Sequence, residues 1–200
     1  MQKIKDCKTL EARYGVAVPL ALTKVALELT PRYQAWIEGS RFCILSTVGA
    51  RGVNGSPRGD DGPVVRVDGP KRLLMPDWKG NNRLDCLRDI VDDGRLALIF
   101  LVPGSTTTVR VNGTGWVTDD TDLRRLFARK DVLPATVIGI DINEVYTQCA
   151  KALIRSGLWT RNDKDTVPSV GDILAEMTDG AAGGPEYDHT YKDRAQKKMW

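Results

Sequence analysis

Histidine and cysteine are scarce in this sequence, and the few that are present lie far apart. His189 is the only histidine, and Cys7, Cys43, Cys86 and Cys149 form no CxxC pair. Structural zinc sites need ligands in close pairs, so we predict no metal site. The cysteines are instead expected to be free, buried thiols of a cytoplasmic protein.

Long apolar runs are also missing. The longest, residues 96–102, is seven residues long and ends at Pro103-Gly104. A membrane-spanning helix needs roughly 18 or more apolar residues, so this run predicts a buried strand and no membrane span. The N-terminus carries Asp6 and Glu11 before a weak apolar stretch, which is a poor signal peptide. We therefore expect a cytoplasmic location.

The composition also lacks the features of a nucleic-acid-binding protein. Aromatic residues make up only 6% of the chain, and the net charge of +3 comes without a Lys/Arg tract. Nucleic-acid-binding barrels display aromatics interleaved with lysines on one sheet face, so this class is disfavoured. The dinucleotide-binding and P-loop glycine patterns are missing too. A small anionic ligand fits the basic excess better.

What is present is a normal globular balance over 200 residues, with 42% hydrophobic and 28% charged residues. Period-two patterns bounded by turn residues predict strands at residues 42–48, 53–58, 64–67, 72–75, 95–102, 107–117 and 135–145. Helical spacing predicts helices at residues 19–29, 31–39, 82–92, 119–130 and 170–177. Short strands separated by turns indicate a mainly β (α+β) fold, an antiparallel barrel with peripheral helices.

The two ends of the chain differ in composition from the middle. We expect residues 1–40 to form a helical segment that packs on the barrel, residues 41–160 the barrel domain, and residues 161–200 a C-terminal extension. Within the extension, residues 180–185 resemble a linker, and the polar tail from residue 187 is expected to be loose or ordered against a neighbouring subunit.

Three segments interrupt the strand and helix patterns with glycines and polar side chains. In residues 56–60, Arg58 is flanked by proline and glycine, which suits docking of a planar or anionic ligand. Residues 76–85 join a strand to a helix N-terminus, where free N–H groups attract phosphate. In residues 108–115, Arg110 and Asn112 share one strand face. Each segment also has a purely structural interpretation. Residues 56–60 could form an exposed turn, residues 76–85 an Asn-capped surface helix, and residues 108–115 a solvent-facing edge strand.

In this order, these segments resemble the pyridoxamine 5′-phosphate oxidase-like flavoproteins. The matching stretches are SPRGD at 56–60, LLMPDWKGNNRLDCLRDI at 73–90, IFLVPGSTTTVRVNG at 99–113 and VYTQCAKALIRSGLW at 145–159. The resemblance covers roughly residues 10–160 and is closest to a bacterial subgroup whose members are expected to be FMN-dependent enzymes. It implies an FMN-binding split barrel that works as a homodimer, with each flavin at the subunit interface.

The resemblance also implies which residues bind the cofactor. Ser56, Arg58 and Gly59 would lie beside the flavin, and Pro76 and Asp77 would border its ring. The phosphate would be held by the residues at the helix N-terminus, which are Asn81, Asn82 and Arg83. Polar groups from the barrel and from the C-terminal side would complete the site, namely Arg110, Asn112, Lys151, Arg155, Ser156 and Trp159. Trp78 is the other tryptophan expected near the cofactor.

The function implied is hydride transfer between FMN and an unidentified small molecule, with a nicotinamide as a candidate electron donor. No residue can be assigned as a general acid or base, which suits a flavoenzyme because the flavin supplies the chemistry. The substrate-phosphate motif of true pyridoxamine phosphate oxidases is not found, which argues against vitamin B6 as the substrate. Two alternatives stay open: a split-barrel reductase that uses the deazaflavin F420, and a flavin- or haem-binding protein without turnover.

Overall fold

The computed structural model describes residues 1–197 and 199. The strands are β1 (Phe42–Gly49), β2 (Gly52–Gly59), β3 (Arg66–Val67), β4 (Arg72–Asp77), β5 (Arg95–Leu101), β6 (Thr108–Thr118) and β7 (Thr136–Gln148). The α-helices are α1 (Cys7–Tyr14), α2 (Pro19–Thr23), α3 (Pro31–Glu38), α4 (Asp85–Asp92), α5 (Thr121–Arg125), α6 (Lys151–Ser156), α7 (Val170–Met177) and α8 (Gly184–Gln196).

All seven strands form one antiparallel sheet in the order β2-β1-β5-β6-β7-β4-β3. Residues directly opposite each other in an antiparallel pair face the same side, so the register defines an inner face. That face carries Leu45 of β1, Leu98 of β5, Val111 of β6, Ile140 of β7 and Leu73 of β4, all fully buried. The inward side chains form one core, and the sheet does not close by strand pairing, which makes it a split barrel.

A side-chain contact spans the opening between the two ends of the sheet. Arg58 on β2 forms an ion pair with Asp77 at the end of β4. Helix α4 covers the inner face beside this opening, with Cys86 and Ile90 in the core. A cavity between β2 and the start of α4 results from this arrangement, as described below.

Close packing at one strand crossing depends on a glycine. Gly139 on β7 lies opposite Trp116 on β6. A Cβ atom at residue 139 would come within 2.0 Å of the Trp116 ring. The indole lies across the glycine and donates a 3.1 Å hydrogen bond from Nε1 to Asp141. Only a residue without a side chain fits at position 139.

The predicted split barrel is confirmed, and so are several local details. Pro57 lies on an edge strand, because β2 is at one end of the sheet order. The apolar strand β5 lies between β1 and β6, as its lack of a polar face indicates. Thr30 caps α3, and the capping box of Ser169 and Asp172 opens α7.

The predicted helix over residues 19–29 is wrong beyond Thr23. Ala26 instead pairs with Val145 through reciprocal backbone hydrogen bonds of 3.0 and 2.8 Å, and Leu29 N donates to the carbonyl of Pro70. Ala26, one of the apolar residues at helical spacing, therefore forms a β-bridge to β7. The tertiary hydrogen bonds override a weak helical preference here. Pro31 also disfavours a helical conformation at the residue before it.

Two other helices are shorter than predicted. Helix α4 begins at Asp85 rather than near residue 82, because Asn82 and Leu84 adopt left-handed backbone conformations. Helix α5 ends at Arg125 rather than near residue 130. The chain then turns through a small bridge between Arg129 and Val132.

The C-terminal extension is more ordered than predicted. Gly184–Gln196 forms helix α8, which overlaps the predicted linker and most of the predicted loose tail. Pro185 stands at the start of this helix, and Asp188 accepts a 2.9 Å hydrogen bond from Gly171 N of α7. The end of the predicted tail includes residues 198 and 200, which lie outside the described residues.

The scarce residues behave only partly as predicted. All four cysteines are free, but Cys7 and Cys149 are exposed, since α1 and the end of β7 lie at the surface.

Among the described residues, no group of three or more histidine, cysteine or acidic side chains is placed to hold a metal ion. Over the same part of the chain, no helix has the length and apolar character needed to cross a membrane.

Candidate functional site

A cavity of about 470 Å³, here called cavity 1, lies between β2, the end of β4 and the start of α4. This volume falls within the usual range for small-molecule sites, roughly 300–1,000 Å³. Its lining is mostly polar. The lining residues are Asn54, Gly55, Ser56, Arg58, Asp77, Trp78, Gly80, Asn81, Asn82, Arg83, Leu84, Asp85, Cys86 and Leu87.

One wall of cavity 1 is the N-terminus of α4, which no side chain in the described part of the chain caps. The N-cap residue, Leu84, has φ 60° and ψ 15°, and it makes no side-chain capping bond. Asn82 is also left-handed, with φ 59°. The first N–H groups of a helix have no intrahelical partner and carry the positive end of the dipole. This wall therefore suits an anionic group such as phosphate.

A second wall comes from β2, where alternate residues face inward. Asn54, Ser56 and Arg58 lie opposite Thr47, Leu45 and Cys43 of β1, so all three share the inner face. The guanidinium of Arg58 is bound to the Asp77 carboxylate, with the two side chains 21% and 10% exposed. Its Nε is buried and has no hydrogen-bond partner among the described residues. A buried donor of this kind is costly unless a ligand satisfies it.

A buried carboxylate joins α4 to the strands behind cavity 1. Asp89 is 1% exposed and accepts 2.7 Å hydrogen bonds from Asn54 Nδ2 and Thr47 Oγ1. These bonds, Asn54 first and Thr47 second, hold the pKa of Asp89 below its ordinary value. A Cβ at Gly49 would come within 2.3 Å of Asp89 Oδ1, so that glycine makes room for the carboxylate. The network fixes both Asn54 and the helix whose N-terminus forms the first wall of cavity 1.

Arg83 lines cavity 1 but is not directed at an anion in this structure. Its side chain is 80% exposed, and Nε donates to Asp85 Oδ2 at 2.5 Å. Its carbonyl accepts a 3.2 Å hydrogen bond from Arg88 Nη1. An ion pair with so exposed an arginine contributes only roughly 0–1 kcal/mol to stability. A bound anion could therefore replace Asp85 as the partner of the Arg83 guanidinium.

A second cavity of about 520 Å³, cavity 2, adjoins the first and shares Arg58 and Trp78 with it. The predicted residues Gly59 and Pro76 lie here rather than in cavity 1. The lining residues are Arg41, Pro57, Arg58, Gly59, Asp60, Asp61, Val64, Met75, Pro76, Trp78 and Met199.

Two predicted residues of the barrel face away from both cavities. Arg110 and Asn112 share the outer face of β6, where Arg110 Nε donates to Asn112 Oδ1 at 3.0 Å. Asn112 Nδ2 donates in turn to Glu144 Oε1 at 2.5 Å. The Arg110 guanidinium lies over the Tyr146 ring, 6.0 Å from its centroid. They form a polar cluster on the outside of the barrel.

The predicted C-terminal residues are not in either cavity. Lys151, Arg155 and Ser156 belong to the surface helix α6. Trp159 Nε1 donates a 2.6 Å hydrogen bond to the carbonyl of Ser105, which ties the segment after α6 to the turn between β5 and β6. Within one chain, these residues are therefore separate from cavity 1.

Cavity 1 thus collects six of the fourteen predicted binding residues, which are Ser56, Arg58, Asp77, Asn81, Asn82 and Arg83. Sequence reasoning missed Asn54 and Gly55, whereas Gly80 and Asp85 belong to the predicted segment 76–85. The inward position of Asn54 could have been found from its period-two spacing with Ser56 and Arg58.

The cysteines near this site are buried. Cys86 lines cavity 1 and packs in the core, and Cys43 lies across from Arg58 in the sheet. Burial raises the pKa of its thiol to about 12, and the Arg58 charge lowers it by less. The thiol is therefore protonated at neutral pH and packs as an apolar group.

Comparison with known proteins identifies the family. The sequence profile of the pyridoxamine 5′-phosphate oxidase family matches residues 29–149, which is more than half of the chain. The chain belongs to this family. A comparison with curated proteins finds no match.

Solved structures with the same fold are similar to this chain over the barrel. HupZ from Group A Streptococcus superimposes with a TM-score of 0.50 at 16% identity, covering 60% of this chain and 98% of that one. A putative pyridoxamine 5′-phosphate oxidase from Lactobacillus delbrueckii gives a TM-score of 0.49 at 24% identity, covering 60% and 95%. A putative 5-nitroimidazole antibiotic resistance protein from Bacteroides thetaiotaomicron gives 0.41 at 11%, covering 62% and 86%. At these identities the likeness concerns the fold alone.

Proposed function

We propose that this chain binds FMN in cavity 1 and is an FMN-dependent oxidoreductase acting on an unidentified small molecule. The observation that carries the proposal is the buried Arg58 Nε, which has no partner among the described residues, beside the uncapped N-terminus of α4. A planar cofactor with a phosphate group would use both features. Membership of the pyridoxamine 5′-phosphate oxidase family supports the same cofactor.

The residues present fit the two ends of FMN. Asn81, Asn82 and Arg83 precede α4 and would hold the phosphate together with the free N–H groups of its first turn. To reach the phosphate, Arg83 must leave Asp85, which an exposed ion pair permits at little cost. In this arrangement the phosphate, which is the charged end of the cofactor, would lie beside the exposed Arg83 at the solvent-accessible end of cavity 1.

The other predicted residues in the two cavities would lie beside the ring. Ser56, Arg58 and Gly59 come from β2, while Pro76 and Asp77 come from β4. Asp77 keeps Arg58 in place, so the Nε donor is available at a constant position.

FMN, when bound, supplies hydride-transfer chemistry, and the protein has to bind, orient and shield it. The Asp89 network keeps Asn54 and α4 in fixed positions around the cavity. Apart from the Asp89 network, the inward side of the barrel behind the site is apolar and buried, which excludes water from that side. None of these roles needs a general acid or base from the chain.

We also propose that the protein works as a homodimer with two flavins, each at the subunit interface. Phe42 and Ile44 on the outer face of β1 are each 37% exposed, which leaves an apolar strip that a second copy could cover. The polar cluster of Arg110 and Asn112 lies on the outer face as well. In a dimer this cluster, together with Lys151, Arg155, Ser156 and Trp159, would reach the flavin of the partner subunit.

A cytoplasmic location completes the proposal. All four cysteines are free thiols, as expected in a reducing compartment. Microscopy of a fluorescent fusion would test it, and an extracytoplasmic signal would contradict it.

The test of the cofactor begins with an absorbance spectrum of the purified protein and mass spectrometry of the ligand released on denaturation. A flavin spectrum and the mass of FMN are expected. The mass of F420 or a haem spectrum would replace the proposed cofactor. Haem is disfavoured because the only histidine, His189, is exposed on α8 and lines neither cavity.

Matched variants test the assignment of the phosphate end. Arg83→Ala should weaken FMN binding by at least about tenfold, because a charge-assisted hydrogen bond to phosphate contributes roughly 1.5–3 kcal/mol. Arg125→Ala removes another exposed arginine, 67% against 80% for Arg83, from an ion pair outside both cavities and should leave FMN binding unchanged. Light scattering should give the same dimeric mass for both variants. Undiminished FMN occupancy in Arg83→Ala would refute the assignment.

A further inference from the structure

Cavity 2 has no role in holding the phosphate of FMN, yet it opens beside the residues proposed to contact the ring. It shares Arg58 and Trp78 with cavity 1 and extends from them past Met75 to Met199 near the C-terminus. Its volume of about 520 Å³ is sufficient for a second small molecule. A site next to a redox ring is where a substrate has to bind.

The charged groups around cavity 2 are already paired within the chain. Arg41 Nη1 contacts Asp61 Oδ1 at 3.2 Å. Asp60, whose side chain is 6% exposed, is bound by Arg129, and Arg58 is bound by Asp77. Among the described residues that line cavity 2, two are cations and two are carboxylates, and each has a partner of opposite charge. An ionic ligand would therefore meet no uncompensated charge, and it would lose its own hydration on entering.

The remaining walls of cavity 2 are mainly apolar. Val64 and Met75 line the cavity from the side of the core and are 3% and 1% exposed. Pro57 and Pro76 add apolar edges, and the Trp78 side chain adds an aromatic one. Unlike that of cavity 1, the described lining of cavity 2 includes no residue from the first turn of a helix. It therefore lacks the backbone donors that a phosphate ester would need.

We propose that cavity 2 is the substrate site and that it selects an uncharged, largely apolar, planar molecule such as a quinone, rather than a phosphorylated substrate. This inference rests on the proposed function for its redox role. The contrast with cavity 1 is its physical basis: one cavity offers an open helix N-terminus, and the other offers apolar walls with neutralised charges. The two sites together would hold a charged cofactor and an uncharged reactant.

The proposal is tested by equilibrium binding to the full chain, with and without added FMN. Menadione serves as the uncharged probe and pyridoxamine 5′-phosphate as the anionic probe. Menadione should bind to both forms without displacing FMN. Pyridoxamine 5′-phosphate should bind to the FMN-loaded protein at least about tenfold more weakly than menadione, which corresponds to roughly 1.4 kcal/mol. Quenching of flavin fluorescence and equilibrium dialysis give independent readouts.

A charge variant localises the probe. Asp61→Asn leaves Arg41 without its partner at the mouth of cavity 2, and the side chain is exposed enough for the fold to tolerate the change. Affinity for pyridoxamine 5′-phosphate should then rise by about threefold at low salt, while menadione binding stays constant. Asp122→Asn breaks an exposed ion pair outside both cavities and should change neither affinity.

The outcomes separate the two proposals. Tighter binding of pyridoxamine 5′-phosphate than of menadione to the native protein would overturn the inference, and so would an FMN-loaded protein that binds neither probe. In both cases the flavin spectrum would still support the proposed function. A colourless protein that takes up no FMN would overturn the proposed function and, with it, the redox role of cavity 2.

Discussion

The ion pair between Arg58 and Asp77 connects two strands at opposite sides of the barrel opening, so its removal should affect both stability and the site. Asp77→Asn keeps the size of the side chain and removes only its charge. The backbone carbonyl of Asp77 still accepts its 2.9 Å hydrogen bond from Ala135 N. The variant therefore isolates what happens when the Arg58 guanidinium loses its counter-charge.

The size of the effect follows from the burial of the two side chains. Breaking a buried ion pair by removing one partner costs about 3–5 kcal/mol, because the other charge stays buried without compensation. Asp77 is 10% exposed and Arg58 21%, and both line a cavity that water can enter. Because water can reach both side chains, the cost should lie at the lower end of this 3–5 kcal/mol range. We therefore expect a loss of about 3 kcal/mol in the free energy of unfolding. With a urea m-value of about 2 kcal/mol/M, the midpoint should fall by about 1.5 M.

Urea titration followed by tryptophan fluorescence, at one fixed protein concentration, measures this shift. Asp122→Asn is the control, because its ion pair with Arg125 is solvent-exposed and its loss should cost at most about 0.5 kcal/mol. The double variant Arg58→Met with Asp77→Asn should recover much of the stability, since no charge is then left buried. A midpoint shift for Asp77→Asn no larger than that of the control would refute this account of the barrel opening.

Three further predictions concern packing, thiol chemistry and acid stability. Gly139→Ala should lower the unfolding free energy by at least about 2 kcal/mol, measured by thermal melting, because its Cβ would overlap the Trp116 ring; an unchanged Tm would contradict the packing. In the native protein, iodoacetamide should label the two exposed cysteines but not Cys43, whose buried thiol has a pKa of about 12; labelling of Cys43 before unfolding would be inconsistent with its burial. The Arg95 side chain lowers the pKa of Asp93 to about 2, so this carboxylate stabilises the fold fully above about pH 4 and progressively less as pH falls towards 2. Asp93→Asn should make acid unfolding shallower across that window, and an identical acid-unfolding curve would exclude the contribution.

Local patterns were sufficient to predict much of the fold. Alternation and turn residues located the barrel strands, and the caps of α3 and α7 were read from short-range hydrogen-bonding chemistry. Prediction failed where a distant partner decided the outcome. Ala26 belongs to a helical sequence pattern but forms a β-bridge with Val145. Helix α8 forms in a polar tail because it packs beside α7.

The same distinction applies to the candidate site. Residues 76–85 could be assigned to an anion-binding helix N-terminus because loop, glycine and helix are consecutive in the chain. That Arg110 and Asn112 share a strand face also follows from alternation, but which side of the barrel this face occupies does not.

The sequence by itself therefore determined the strand pattern, the helix start that can receive an anion and the family resemblance, since each depends on neighbouring residues. The tertiary structure alone decided the pairing of Arg58 with Asp77, the bonds from Asn54 to Asp89, and the separation of two cavities with different chemistry. These features bring together residues from different strands and helices. Their positions depend on how the sheet curves and closes, which no local pattern encodes.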